Sequence, residues 1–136
     1  MTMKQEGFRA NPRYKIVLPV EIQSAETQIV NPDTPPLRFE SVTMDISLGG
    51  VRIDLKEKVK GLDGPGKSSW FQDRFFWIHI REIPTLPEGL YSKTKVASLE
   101  SDKEGNTVSL GMEFQDLLIG VINGLKKYLD TLSRFE

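Results

Sequence analysis

The sequence predicts a mainly β fold, an antiparallel barrel of roughly six strands with a C-terminal α-helix packed on it. Three observations carry this prediction. Apolar and polar residues alternate with period two over most of the chain, turn-forming clusters divide the alternating stretches, and the connections are too short for helical crossovers. Helical spacing begins only after Gln115. With 136 residues, 38% hydrophobic and 27% charged, the whole chain reads as one domain with a real core.

The first strand is "YKIVLPVEIQ", with Ile16, Leu18, Val20 and Ile22 on one face and Lys15, Val17, Pro19 and Glu21 on the other. Pro19 marks an edge or a bulge. The turn cluster "NPDTPP" leads into "LRFESVTMDIS", where strict alternation places Val42, Met44 and Ile46 together. A tight reversal at "LGG" (48–50) then connects to "VRIDLK", with Val51, Ile53 and Leu55 on one side, so the two segments read as a hairpin. Three more strands follow: "FFWIHIREI", "YSKTKVASLE" and "TVSLGMEF". In the last segment, "DLLIGVINGLKKYLDTLSRF", Leu118, Val121, Ile122, Leu125, Tyr128, Leu129 and Leu132 recur at helical spacing. Asp116 is the expected N-cap of a helix over 116–134, and Lys126, Lys127 and Arg134 suit its negative end. Gly120 and Gly124 each cost roughly 1 kcal/mol relative to Ala, so this helix needs docking to persist.

Composition narrows the function. The net charge of -1 argues against general nucleic-acid binding, which needs a basic face. The absence of cysteine removes disulfides, thiolate nucleophiles and zinc-thiolate sites. No apolar run approaches the ~20 residues of a membrane span, and the N-terminus lacks a hydrophobic signal core, so a cytoplasmic protein without membrane insertion is expected.

"GLDGPGKS" (61–68) matches a phosphate-binding loop letter for letter, and would make Lys67 and Ser68 the working residues of a nucleotide hydrolase. That loop needs a buried parallel strand before it and a helix after it, whose amides hold the phosphates. Here it runs from a charged strand end into the aromatic strand "FFWIHI", and Pro65 removes a backbone donor. The sequence therefore reads as a surface connection. The stretch 57–74 is nonetheless long for a hairpin barrel, and Trp70 and Phe71 are expected to pack over a barrel end. His79 stands mid-strand without a second candidate ligand or a nucleophile beside it, which points to packing or surface exposure and not to catalysis.

Two other motifs carry more. "RANPR" places Arg9 and Arg13 on a stiff arm ahead of the first strand, since Pro12 fixes its own φ and pushes Asn11 toward an extended conformation. Guanidinium forks suit phosphate oxygens and the O6 and N7 acceptors of guanine. "DISLGG" adds Asp45 and Ser47, which strand alternation places on one side, with Ile46 opposite. A carboxylate accepts from guanine N1–H and N2–H2, and a hydroxyl serves as donor or acceptor. Gly50 allows close backbone approach and tolerates positive φ.

The combination resembles the PilZ domain family, whose pattern is Arg-x-x-x-Arg in an N-terminal arm and Asp/Asn-x-Ser-x-x-Gly at a strand-to-strand turn. Arg9, Arg13, Asp45, Ser47 and Gly50 match it, and "LGMEF" (110–114) is similar to the family's closing strand before a helix. The resemblance implies a bacterial receptor for cyclic di-GMP, gripped between an arm (1–13) and a barrel (14–114) by Arg9, Arg13, Asp45, Ser47, Gly49 and Gly50. It implies no catalysis, metal or cofactor, and a signal passed to a protein partner by a ligand-induced change, with motility or biofilm formation as expected outputs. Phe8 stands where many relatives carry a basic residue, which points toward one ligand molecule per site. The competing readings are a PilZ-like adaptor that contacts a protein without binding nucleotide, and the hydrolase considered above.

Overall fold

The period-two segments become strands in the computed structural model, which describes residues 11–25, 36–56, 59–62 and 70–132. They are β1 (Tyr14–Lys15), β2 (Pro19–Ser24), β3 (Arg38–Ile46), β4 (Gly50–Asp54), β5 (Phe75–Ile80), β6 (Leu90–Ser101) and β7 (Thr107–Gln115). Their order is β1-β3-β2-β5-β6-β7-β4, and β3 also pairs with β4, which closes the sheet on itself. Every strand pairing is antiparallel.

β1 and β2 run in succession along β3, with Tyr14 opposite Ile46 and Pro19 opposite Val42, so together they act as one stave of a six-stave barrel. Thr43 stitches the break between them. Its hydroxyl donates to Ile16 O at 2.6 Å and accepts from Leu18 N at 2.9 Å, while its own N–H donates to Leu18 O at 2.9 Å. Those bonds satisfy backbone groups that the interrupted ladder would otherwise leave unpaired. Pro19 takes the first position of β2, where its missing N–H costs the ladder least.

The barrel interior holds Val20, Ile22, Phe39, Ile46, Val51, Ile53, Phe76, Ile78, Leu110 and Met112, all buried. Strict alternation fails in β3. Thr43 faces Ile53 and is buried, whereas Met44 is exposed and Val42 only half-buried. A β-bulge between Thr43 and Asp45 makes Met44 the extra residue and resets the phase. Before the bulge the odd-numbered residues Phe39, Ser41 and Thr43 are the buried ones, and after it Ile46 points inward with Val51. The expected grouping of Val42, Met44 and Ile46 is thus corrected.

Phe71 plugs one end of the barrel. It is fully buried, with its ring centroid 6.2 Å from that of Phe39 and 6.1 Å from that of Phe76, and Trp70 packs beside the core. Both aromatics therefore behave as expected for the long connection. Lys60 forms a two-way backbone bridge with Glu40, at 2.8 and 2.9 Å. Residues 63–69, including Lys67 and Ser68, lie outside the described residues. The flanks on either side are an antiparallel bridge and a turn entering β5, and neither supplies the parallel strand or the helix that a phosphate-binding loop requires.

The helix α1 (Ile119–Leu129) is shorter than the expected 116–134, and its N-cap is Leu118, with no side-chain cap. Asp116 takes a left-handed φ of 51° at the bend after β7, so it cannot occupy the extended N-cap geometry. Leu125, Tyr128 and Leu129 bury the docking face, with Val121 and Leu132 partly buried. Leu118 is instead 75% exposed, because the chain has not yet entered the helix there. Gly124 has a packing reason: its carbonyl accepts from Thr85 Oγ1 at 2.5 Å, and a Cβ there would press into Leu86. Arg134 lies outside the described residues. Among the described residues no helix is long and apolar enough to cross a membrane.

Candidate functional site

The β3–β4 hairpin gathers most of the residues singled out by the sequence. Its turn is built by Ser47. The Ser47 hydroxyl accepts from Gly49 N at 3.0 Å and Gly50 N at 3.2 Å, and Ser47 N donates to Gly50 O at 2.9 Å. This is the local side-chain-to-backbone bonding that lets Ser replace a regular ladder in a tight turn. Ser47 therefore lies in the turn beyond β3, fully buried, and not on the strand beside Asp45 as alternation suggested. Phe114 N donates to Gly49 O at 2.9 Å, which pins the turn to β7. Gly50 opens β4 opposite Glu113, so its backbone is extended and makes no use of the positive φ that glycine permits.

Asp45 is the unusual residue. The Met44 bulge turns it off the core side and puts it opposite Lys15 of β1 and Arg52 of β4. It remains only 4% exposed, and its Oδ1 has no hydrogen-bond partner among the described residues. Burial raises its carboxyl above the ordinary aspartate range, and the positive charges of Arg13 and Arg52 oppose that shift. A buried carboxylate oxygen without a donor is costly and rare in folded proteins. The geometry supplies positive charge around Asp45 and leaves its buried Oδ1 unsatisfied among the described residues.

Arg13 is half-buried at the start of β1, close enough to Asp45 to influence its charge. Arg9 and the rest of the arm through residue 10 lie outside the described residues. The structure thus brings together Arg13, Asp45, Ser47, Gly49 and Gly50.

Sequence reasoning missed Arg52. Counting outward from the "LGG" turn would have found it, since Ile46 opposite Val51 puts Asp45 opposite Arg52. The Arg52 Nη1 donates to Ser109 Oγ at 3.4 Å, and Ser109 Oγ donates to Glu100 Oε1 at 2.6 Å. Gly111 lies opposite Arg52 on β7, and a Cβ there would come within 3.4 Å of the guanidinium.

A separate groove of about 390 Å³ lies over β2, β5 and β6, lined in part by Glu21, Arg38, Trp77, His79 and Tyr91. Trp77 and Tyr91 stack there at 5.3 Å between centroids. Within it His79 Nε2 is 3.0 Å from Glu88 O, and Nδ1 is 3.7 Å from the Glu21 carboxylate. The Arg81 guanidinium hydrogen-bonds Glu21 and holds that carboxyl below its usual range. Arg13, Asp45, Ser47, Gly49 and Gly50 do not line this groove. Among the described residues no group of three His, Cys, Asp or Glu side chains could hold a metal ion.

A closed antiparallel six-stave barrel, with a glycine-bearing hairpin on its wall and a helix after its last strand, defines a small β-barrel domain. The chain belongs to the PilZ domain family, whose model matches residues 8–131. A search of curated proteins by sequence finds no match. Among solved structures the chain is similar to the PilZ domain of YcgR from Escherichia coli with c-di-GMP, at 18% identity and a TM-score of 0.56, covering 90% of this chain and 88% of that one. It is also similar to the Bacillus subtilis inhibitor of motility (MotI/DgrA), at 18% identity and a TM-score of 0.53, covering 96% of this chain. The chain spans about half of that inhibitor, 53% of its length. These likenesses establish the fold.

Proposed function

We propose that this chain is a cyclic di-GMP receptor that binds the dinucleotide on the outer wall of the barrel, between the N-terminal arm and the β3–β4 hairpin. The observation that carries the reading is the unsatisfied Oδ1 of buried Asp45, set among positive charges on a hairpin that lies within the residues the family model matches. Guanine N1–H and N2–H2 are the donors that such an acceptor lacks. Arg13, together with Arg9, takes phosphate oxygens and guanine acceptor edges. Ser47 holds the turn so that the Gly49 and Gly50 backbone stays close to the ligand. The YcgR domain solved with c-di-GMP supports this ligand class.

The domain is a receptor and not an enzyme in this reading. Closing the arm over the ligand changes the surface that a downstream protein meets, and this relays the signal by differential contacts to the closed form. One ligand molecule per site follows from Phe8, which is apolar where a further cation would favour a second dinucleotide. Titration of the full chain with cyclic di-GMP, and separately with ATP, tests the assignment. Saturable binding of the dinucleotide alone is expected. An adaptor would bind neither, and a hydrolase would bind and split ATP.

A further inference from the structure

We infer that Arg52 is a specificity-determining residue of the site, reading the O6 and N7 edge of the guanine whose N1–H and N2–H2 edge meets Asp45. The inference rests on the cyclic di-GMP reading above and goes beyond the family motif, which does not include this position.

Register is the first support. Asp45 and Arg52 are cross-strand partners, and partners in an antiparallel ladder project to the same face. Both sit on the outer wall, since their neighbours Ile46, Val51 and Ile53 fill the core. Seating is the second. Gly111 beside Arg52 keeps the wall low there: a Cβ would run into Ser98 Oγ and come into contact with the guanidinium at 3.4 Å. Tethering is the third. Ser109, itself bonded to Glu100, accepts one long hydrogen bond of 3.4 Å from Nη1, which orients the fork and, among the described residues, takes up one of its N–H donors.

Guanine chemistry then matches the pair. Its N1–H and N2–H2 donors lie on one edge next to O6, and O6 and N7 form the adjoining edge, so a carboxylate and a guanidinium on neighbouring strands of one face meet donors and acceptors in the correct order. Adenine reverses that order, presenting its N1 acceptor toward the carboxylate and its N6 amino group toward the guanidinium. The Asp45–Arg52 pair would therefore accept guanine and reject adenine, and Arg13 and Arg9 remain for the phosphates and for the acceptor edge of the dinucleotide's other guanine.

Calorimetric titration of the full chain decides the matter, using wild type, Arg52→Ala, Arg52→Gln and Arg52→Lys. The probes are cyclic di-GMP, its 7-deazaguanine analogue and cyclic di-AMP. Wild type should prefer cyclic di-GMP over the 7-deaza analogue, which lacks the N7 acceptor. Arg52→Ala should bind cyclic di-GMP about 10- to 100-fold more weakly and lose that N7 preference. Arg52→Lys keeps the charge without the fork, so it should recover part of the affinity but little of the N7 preference. Arg52→Gln supplies the same comparison if the alanine variant does not fold, and ligand-free melting curves report on folding directly. Unchanged affinity, or an unchanged N7 preference, in folded Arg52 variants would overturn the inference while leaving the receptor assignment standing. A wild type that binds no cyclic dinucleotide would overturn both.

Discussion

Asp45 and Arg52 face one another across the β3–β4 hairpin, and the Met44 bulge joins that pair to the buried run of Phe39, Ser41 and Thr43. Were β3 regular through Met44, Asp45 would continue the buried run of Phe39, Ser41 and Thr43 and point into the apolar core. The bulge turns the carboxylate off the core side, into the field of Arg13 and Arg52.

Asp45 should cost stability in exchange for recognition. Its carboxyl is raised by burial, so the fold favours the protonated acid. That favourable contribution is full below the unfolded pKa and is lost as pH rises through the raised folded pKa. At neutral pH the ligand-free Asp45→Asn protein should melt a few degrees higher, corresponding to about 1 kcal/mol. The gain should shrink as pH falls into the carboxylate range, and cyclic di-GMP affinity should drop at the same time. Paired thermal melts at pH 7 and pH 4 measure the first effect and titration the second.

Arg13→Ala should lower the melting temperature somewhat at neutral pH, because buried Asp45 loses a compensating charge, and abolish practical cyclic di-GMP binding. Removing a charged partner from a desolvated contact costs roughly 2–5 kcal/mol, or thirty-fold and upward in affinity. Calorimetry on the folded variant measures this, and an unchanged dissociation constant would remove Arg13 from the site.

Phe71 belongs to stability and not to binding. It is fully buried against Phe39 and Phe76, so Phe71→Ala should destabilise by about 3–5 kcal/mol through lost burial and the cavity left behind. Urea unfolding measures the loss. Cyclic di-GMP affinity, measured well below the unfolding midpoint, should stay near wild type.

Lys67 gives the complementary test of the decoy loop. Lys67→Ala should alter neither cyclic di-GMP affinity nor ATP turnover, which should be absent from both proteins. A coupled phosphate-release assay that detects ATPase activity in wild type, and its loss in the variant, would reinstate the hydrolase reading.

Much of this architecture was legible in the sequence because period-two alternation reports directly which residues meet the core. Val20 and Ile22 on β2, and Val51 and Ile53 on β4, are buried as that alternation requires. The short connections correctly implied antiparallel pairing. β3 was misread because a bulge shifts the phase by one residue, and "VTMDI" carries no glycine or proline to mark it. The helix start was misread because Asp116 has the chemistry of a cap while its backbone is committed to a left-handed bend. Within the site, Asp45 and the turn residues could be found by motif. Arg52 could not, since its relation to Asp45 depends on register across the turn, and Ser47's turn-building role depends on backbone geometry that spacing alone does not reveal.

Hydrogen exchange of the full chain, with and without cyclic di-GMP, tests the central claim most directly because it locates the ligand as well as detecting it. Amides in residues 9–13 and 45–50 should gain protection together on addition of ligand, since both Arg13 and Asp45 must close on the same molecule. Protection confined to residues 61–74, or none anywhere at saturating cyclic di-GMP, would contradict the account.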